Sequence, residues 1–495
     1  MIRRVRTIAS PDVMPEMKTI GQRRKSERIF TVRCRFGSRR VTVGEAVPTF
    51  PPLARVLTAS LAAAVAILGS VASPARSASW SLREAAAPYK GLTINVVGLD
   101  RPSYVAEKQL IPQFEKLTGI NVKMTNYPYE STLKAETLNF VSNSNQYDGI
   151  LSDVIWVGTF ATPKWVMPME TFTKDPKLAD PALDLSDFFP VWTDAFKWNG
   201  TQYGLPFDSY AGLLYYNRCM LKDAGFSSPP KTWLELRDKY GAKLTDKSKG
   251  TFAYAIQSLR GETQTADSFS RFLWDFGGKW YDAKTYQPQL DSPGAVKGMQ
   301  FRKSLNPYMP PGIVSDDHAQ VIQLMAQGKV AMLTEWSSFY TTLNDPSTSK
   351  IGKCLAVTSE PAGPAAADPA FGGFAYMVSS QSPKNKQAAT YLFIQWLTSK
   401  NVAPELINRG AVVARKSADT MPNLQRKYPY LQPMVASWGH SNYDWRPRIP
   451  QYPQMSEVVA NYGSQMQQGV IAIDPALQKI NGEIADILKQ AGLLK

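Results

Sequence analysis

From Leu92 to Val97 the chain runs Leu-Thr-Ile-Asn-Val-Val, a β-branched apolar stretch that predicts a buried strand. Behind it Leu110, Ile111, Phe114 and Leu117 recur at helical spacing. Ser103 is the expected N-cap of that helix and Gly119 its stop, while Pro112 is expected to kink it or to start its second half. Ile120 to Met124 returns as a strand, and a strand-helix-strand unit with short connections predicts a parallel sheet covered by helices, the α/β class. A third strand is expected at Tyr147 to Asp153. Ligands of open α/β sheets gather beyond the carboxyl ends of strands, which makes Asp100, Asp153 and Trp156 candidate site residues.

Near residue 195 the pattern changes. Asn199-Gly200 lies between the short runs Phe196 to Trp198 and Thr201 to Tyr203, a hairpin signal. Helical spacing returns at Ala388, Leu392, Phe393, Trp396 and Leu397. It returns again after Asp474-Pro475, the expected cap of a run with Leu477, Ile480, Ile484, Ile487 and Leu488 on one face. No internal repeat is visible, and only Pro361 to Pro369 reads as a mobile surface loop.

Composition places the chain among globular proteins of two or three domains: 495 residues, 44% hydrophobic and 20% charged, with 12 Trp, 22 Tyr and 21 Phe. A net charge of +15 invites a nucleic-acid partner until it is located. Residues 1 to 78 hold 14 of the 56 Lys/Arg and 4 of the 41 Asp/Glu, so the remaining 42 basic and 37 acidic residues make an ordinary mixed surface. Nucleic acid is therefore excluded as the expected partner. Those first 78 residues read as a targeting region: basic positions from Arg3 to Arg40, an Ala/Leu/Val run from Val56 to Ala72, then small residues suited to signal-peptidase cleavage. A secreted, soluble, periplasmic and monomeric protein is expected. Cys34 leaves with that region; for Cys219 and Cys354 an oxidising compartment permits a disulfide, although two buried free thiols are the expectation.

The chemistry-bearing motifs are missing: there is no GxGxxG, phosphate loop, HExxH, CxxC or GxSxG in the sequence. His318 and His440 are the two imidazoles, and Asp316-Asp317-His318 reads as a solvated helix start. Neither a catalytic residue, a metal site nor a cofactor is assigned.

Several blocks together resemble the extracellular solute-binding proteins of carbohydrate ABC importers, the family of the maltose- and polyol-binding proteins. They are YGLPFDSYAGLLYYN (203 to 217) with PPKTWLEL (229 to 236), FLWDFGGKWY (272 to 281), LMAQGKVAMLTEW (324 to 336), FGGFAYMVSSQSPKNKQAATYLFIQWL (371 to 397) and Asn408-Arg409-Gly410. The resemblance runs over about 90 to 493 and implies a two-lobed periplasmic binding protein fold, with a hinge and a ligand cleft between the lobes. It implies an N-lobe of 90 to 204 plus about 371 to 412, and a C-lobe of 205 to 370 plus 413 to 495. The implied ligand is a sugar or sugar alcohol and the implied partners are the permease subunits of the importer. Another small solute, such as a polyamine or sugar phosphate, is the alternative; a secreted carbohydrate-active enzyme is the rival from another class.

Sugars combine apolar C–H faces with hydroxyl rims, so their sites pair aromatic platforms with groups that make two hydrogen bonds. Trp336 follows a strand where the family places a stacking aromatic, and Glu335 beside it can bind hydroxyls. Trp274 joins Trp156 as a second-rank platform. Asp208 and Tyr210 lie in the crossover after Gly204-Leu205-Pro206, Gly372 and Gly373 allow backbone N–H groups to approach ligand, and Arg409 and Arg446 can fork onto vicinal hydroxyls.

Overall fold

The computed structural model describes residues 80–495, so the signal-like run Val56 to Ala72 and Cys34 lie outside the described residues. The β-branched runs form strands in order along one mixed sheet, β2-β1-β3-β10-β6-β8-β7, with β9 also paired to β6. These are β1 (Thr93–Leu99), β2 (Asn121–Tyr127), β3 (Gly149–Asp153), β4 (Lys197–Trp198), β5 (Thr201–Gln202), β6 (Leu205–Asn217), β7 (Phe252–Ala255), β8 (Val330–Trp336), β9 (Leu355–Ser359) and β10 (Phe371–Val378). The expected strand-helix-strand unit is present: β1 pairs in parallel with β2 and with β3. Between β1 and β2 a single helix, Pro102–Thr118, runs through Pro112 and stops at Gly119, whose φ of 73° is the left-handed geometry glycine adopts without strain.

β6 pairs with different strands along its two halves. Its first half, up to Ala211, pairs antiparallel with β10, and its second half, from Gly212, pairs antiparallel with β8 and β9. One thirteen-residue strand thereby belongs to both sides of the molecule. β10 lies between β3 and β6 and pairs with both over Phe374 to Tyr376, and its register against β6 shifts between Phe374 and Ala375. The Asn199-Gly200 turn closes the β4–β5 hairpin with both residues at positive φ, 47° and 81°, the geometry a two-residue hairpin loop requires. The two later helices form at Lys384–Leu397 and Ile473–Gln490.

Four local expectations are corrected. Arg101, not Ser103, is the N-cap of the helix after β1; Ser103 sits inside, where its hydroxyl donates to Asp208 Oδ1 at 2.5 Å. Ala472 begins the C-terminal helix, which leaves Asp474 and Pro475 in its first turn. Cys219 and Cys354 are a disulfide with Cα atoms 5.4 Å apart, not two free thiols. The physical reason is register: Asn217 of β6 pairs with Leu355 of β9 and the Arg218 N–H donates to the Cys354 carbonyl at 2.9 Å, so Cys219, in the first turn of the helix that follows β6, is brought beside Cys354 across 135 positions of chain. Finally, Asp317 does start a helix with a capping box to Gln320, but His318 turns inward and is largely buried.

Among the described residues no helix is long and apolar enough to cross a membrane.

Candidate functional site

The carboxyl ends of β3 and β8, the middle of β6 and the start of β10 converge on one small cavity. Its wall includes Arg101, Tyr129, Asp153, Tyr210, Trp336 and Arg446, with Gly372, Gly373 and Phe374 of β10 beside them. Each is placed by local chemistry. Asp153 ends β3 because its side chain accepts the Ile155 N–H and opens a short 3₁₀ turn, leaving Oδ2 to accept from the Tyr129 hydroxyl at 3.0 Å. Trp336 ends β8, where its own N–H donates to Glu335 Oε2 at 3.0 Å and fixes the turn into Ser337. Gly372 is required by closeness: a Cβ there would lie 2.6 Å from Arg446 Nη2 and 3.0 Å from the Trp336 ring.

Arg446 is the electrostatic centre. Buried to 3% exposure, it donates to Glu262 Oε1 at 3.0 Å and lies 3.6 Å from Asp153 and 3.5 Å from Asp267. Three carboxylates keep its guanidinium well above its ordinary pKa against the opposing effect of burial. Asp267 is attracted by this charge but hydrogen-bonded to nothing: both of its oxygens are buried without a partner, and burial pushes its pKa up. Asp153 comes from the β3 side, Glu262 and Asp267 from the segment after β7. The Tyr129 hydroxyl lies 3.0 Å from both Asp153 and Glu262 and bridges the same gap. This is a clasp between the β3 side and the segment after β7.

Arg101 is the contrasting cation. Its guanidinium carbon lies 5.3 Å from the Tyr129 ring, 5.9 Å from Tyr210 and 5.5 Å from Phe374, an aromatic cage with no carboxylate in ion-pair contact. Burial would lower its pKa, but Tyr210 and the more distant Asp208 hold it above the ordinary value. Its guanidinium is therefore charged at the cavity wall.

Of the twelve residues expected from sequence, Asp153, Tyr210, Trp336, Gly372, Gly373 and Arg446 are brought together around this cavity. Asp208 lies one layer behind: it accepts from Ser103 and Tyr210, and burial pushes its pKa up to about 6 against those bonds. Glu335 is also behind the wall, bonded to His318 Nδ1 at 2.6 Å. Trp156 backs the wall by stacking on Tyr129, with centroids 5.3 Å apart. Three residues are elsewhere. Asp100 is exposed, because the side chain turned inward after β1 is that of its neighbour Arg101. Arg409 pairs with Glu405 one helical turn away on the surface. Trp274 lines a different cavity and donates its indole N–H to the Trp445 carbonyl at 2.9 Å.

Sequence reasoning missed Arg101, Tyr129, Glu262, Asp267, His318 and Phe374. Arg101 carried a usable signal, since it too follows the carboxyl end of β1. Phe374 stood one residue past the glycine pair; nothing in the spacing marked Glu262 or Asp267.

The clasp cavity is about 20 Å³, against roughly 300 Å³ or more for an ordinary small-molecule pocket. A polyol can enter only if the clasp opens. An outer recess of about 240 Å³ adjoins it across Tyr129, lined by Trp156, Glu262 and Tyr452 among others.

The sequence model of the bacterial extracellular solute-binding protein family matches residues 100–404. A probable amino-acid ABC transporter periplasmic-binding protein of Sinorhizobium fredii is 26% identical over 89% of this chain and 99% of its own. A mannitol-binding protein of Pseudomonas aeruginosa is 24% identical over 72% of this chain and 84% of its own. Among solved structures, an ABC transporter solute-binding protein from Agrobacterium radiobacter in complex with ribitol superposes with a TM-score of 0.73 at 26% identity, covering 80% of this chain and 98% of that one.

Proposed function

This chain belongs to the bacterial extracellular solute-binding protein family, the solute-binding components of ABC transporters, and from that premise we propose that it captures a neutral sugar alcohol or small sugar in the clasp cavity. The observation that carries this reading is the joint occupancy of one interlobe cavity by aromatic faces (Trp336, Tyr210, Phe374), by the unpaired guanidinium of Arg101 and by the unbonded carboxylate of Asp267. Aromatic faces suit C–H surfaces, a guanidinium donates to hydroxyl oxygens and a carboxylate accepts from hydroxyl protons. The charges nearly balance, which favours a neutral ligand: a phosphate would meet three carboxylates, and a polyamine would meet two arginines.

The lobes are taken as 90 to 204 with about 371 to 412, and 205 to 370 with 413 to 495. Arg415 and Ser417 still bond to the Asp184–Asp187 segment of the first lobe. Opening about β6 and β10 breaks the Arg446–Asp153 and Tyr129–Glu262 links, ligand hydroxyls take over partners released there, and closure presents the loaded form to the permease. The secreted protein acts in the periplasm as a monomer after loss of its signal peptide, and it performs no chemistry on its ligand.

Calorimetry with ribitol, mannitol, glucose, maltose and a panel of amino acids tests this. Saturable binding of a polyol or sugar, recovered unchanged, is expected. Preference for an amino acid, the class in the name of the Sinorhizobium relative, or recovery of a cleaved or oxidised product, would replace the reading.

A further inference from the structure

A strap of chain, residues 444 to 449, divides the clasp cavity from a larger one. Trp445 and Arg446 turn towards the clasp: the Trp445 ring meets Trp336 edge-on at 6.1 Å. Asp444, Pro447, Arg448 and Ile449 turn the other way and form one wall of a cavity of about 280 Å³, which shares no lining residue with the clasp. Trp198 of the β4–β5 hairpin, Trp274, Tyr281 and Tyr286 line the rest of it, all four half-buried.

This cavity is built rather than incidental. Tyr281 and Tyr286 stack at 5.4 Å in a loop held by Asp282, which accepts the Lys284 and Thr285 N–H groups. Arg448 fixes the hairpin by donating to the Ala195 and Lys197 carbonyls, and its ion pair with Asp444 leaves no uncompensated charge from the strap. The Lys197 ammonium is matched by Asp194. Asn199, held at the hairpin tip with φ 47°, makes no side-chain hydrogen bond and offers both a donor and an acceptor at the rim.

Broad aromatic faces with a charge-balanced polar edge match the alternating C–H faces and equatorial hydroxyls of a ring sugar better than an acyclic polyol, which has no flat face to stack. The volume lies near the lower end for small-molecule pockets, enough for one ring and not for a chain of them. We propose that this cavity is a second carbohydrate site, distinct from the clasp, that takes a single neutral pyranose residue between Trp198 and the Tyr281–Tyr286 pair.

Methyl α-D-glucopyranoside titrated into the full secreted chain is the test, with the same titration on Trp198→Ala, Tyr286→Ala, Tyr286→Phe and Trp336→Ala. A saturable binding event that survives Trp336→Ala, whatever glucoside the clasp itself takes, is expected, weakened roughly tenfold by Trp198→Ala and by Tyr286→Ala and changed less than about twofold by Tyr286→Phe. Mannitol, titrated separately, distinguishes this claim from the function proposed for the clasp: its binding depends on Trp336 and is indifferent to Trp198 and Tyr286. Absence of saturable glucoside binding, or glucoside binding abolished by Trp336→Ala and unmoved by the other substitutions, overturns the second site whether or not the clasp binds polyols.

Discussion

On one side of the 444–449 strap, Arg446 is buried among three carboxylates, one from the end of β3 and two from the segment after β7, and almost no open volume remains. On the other side Arg448, two residues on, is partly exposed, pairs with an exposed Asp444 and borders an open aromatic cavity. Identical side chains so near in sequence carry different burdens because the medium around them differs: a charge pair in a buried clasp is strongly coupled, whereas one at a rim is screened. The comparison also separates size from chemistry. The cavity with more room is lined by no buried acid, while the smaller one holds Asp267, which is ion-paired to Arg446 yet has neither oxygen hydrogen-bonded among the described residues.

The largest difference is expected from removing each arginine. Arg446→Ala strands three acidic side chains and should cost about 3 to 5 kcal/mol of folding stability. Arg448→Ala loses hydrogen bonds to backbone carbonyls and a screened ion pair, which should cost about 1 to 2 kcal/mol. Urea unfolding of both variants measures the contrast; equal losses would remove the distinction between the two sides of the strap.

Next comes the glycine pair of β10. A Cβ on Gly373 would lie 2.4 Å from the Asp208 carbonyl oxygen and 2.7 Å from the Trp192 ring, neither of which can move away, so Gly373→Ala should destabilise the protein by about 1 to 3 kcal/mol. On Gly372 the nearest atoms belong to the Arg446 and Trp336 side chains that wall the cavity. Gly372→Ala should therefore weaken ligand binding more than it weakens the fold, measured by calorimetry and urea unfolding on the same samples.

The legibility of the sequence divides along the same physical line. β1, β2, β3, the hairpin and the long helices could be read because period and turn chemistry are local. The disulfide could not, because it depends on the pairing of β6 with β9 across 135 residues. At the site, Asp153 at the end of β3 was legible from the rule that ligands gather at strand ends, Tyr210 from its place in the crossover after Gly204-Leu205-Pro206, and Trp336 from the family resemblance. Asp100 and Arg101 show its resolution: the rule finds the strand end, but which of two adjacent side chains turns inward is decided by the start of the following helix. Glu262 and Asp267 come from a segment after β7 with no periodic signature, and their closeness to Arg446 is purely tertiary.

A smaller effect is expected from His318. Burial alone would lower its pKa, but Glu335 overrides this and holds it above the ordinary value of about 6.5. A folded value above the unfolded one means that the charged pair stabilises the protein fully below about pH 6.5, and that this contribution is lost as pH rises through the folded value. Wild type should lose stability relative to His318→Gln as pH is raised from about 6 to 9, by on the order of 1 kcal/mol. A pH-independent difference would show that the fold leaves the pKa of the ring where it is in the unfolded chain.

The central claim is that the clasp cavity is where solute binds, and Trp336 tests it most directly. Its ring lines the cavity yet is only 8% exposed, so ligand contact and core packing make competing demands on one side chain. Ligand affinity and unliganded stability should be measured on the same Trp336→Ala protein. The account predicts a loss of affinity of roughly 5- to 150-fold for the polyol or sugar that wild type binds, equivalent to about 1 to 3 kcal/mol, with a smaller loss of unliganded stability. A stability loss of about 3 to 5 kcal/mol with wild-type affinity in the folded fraction would make Trp336 a core residue and contradict the account.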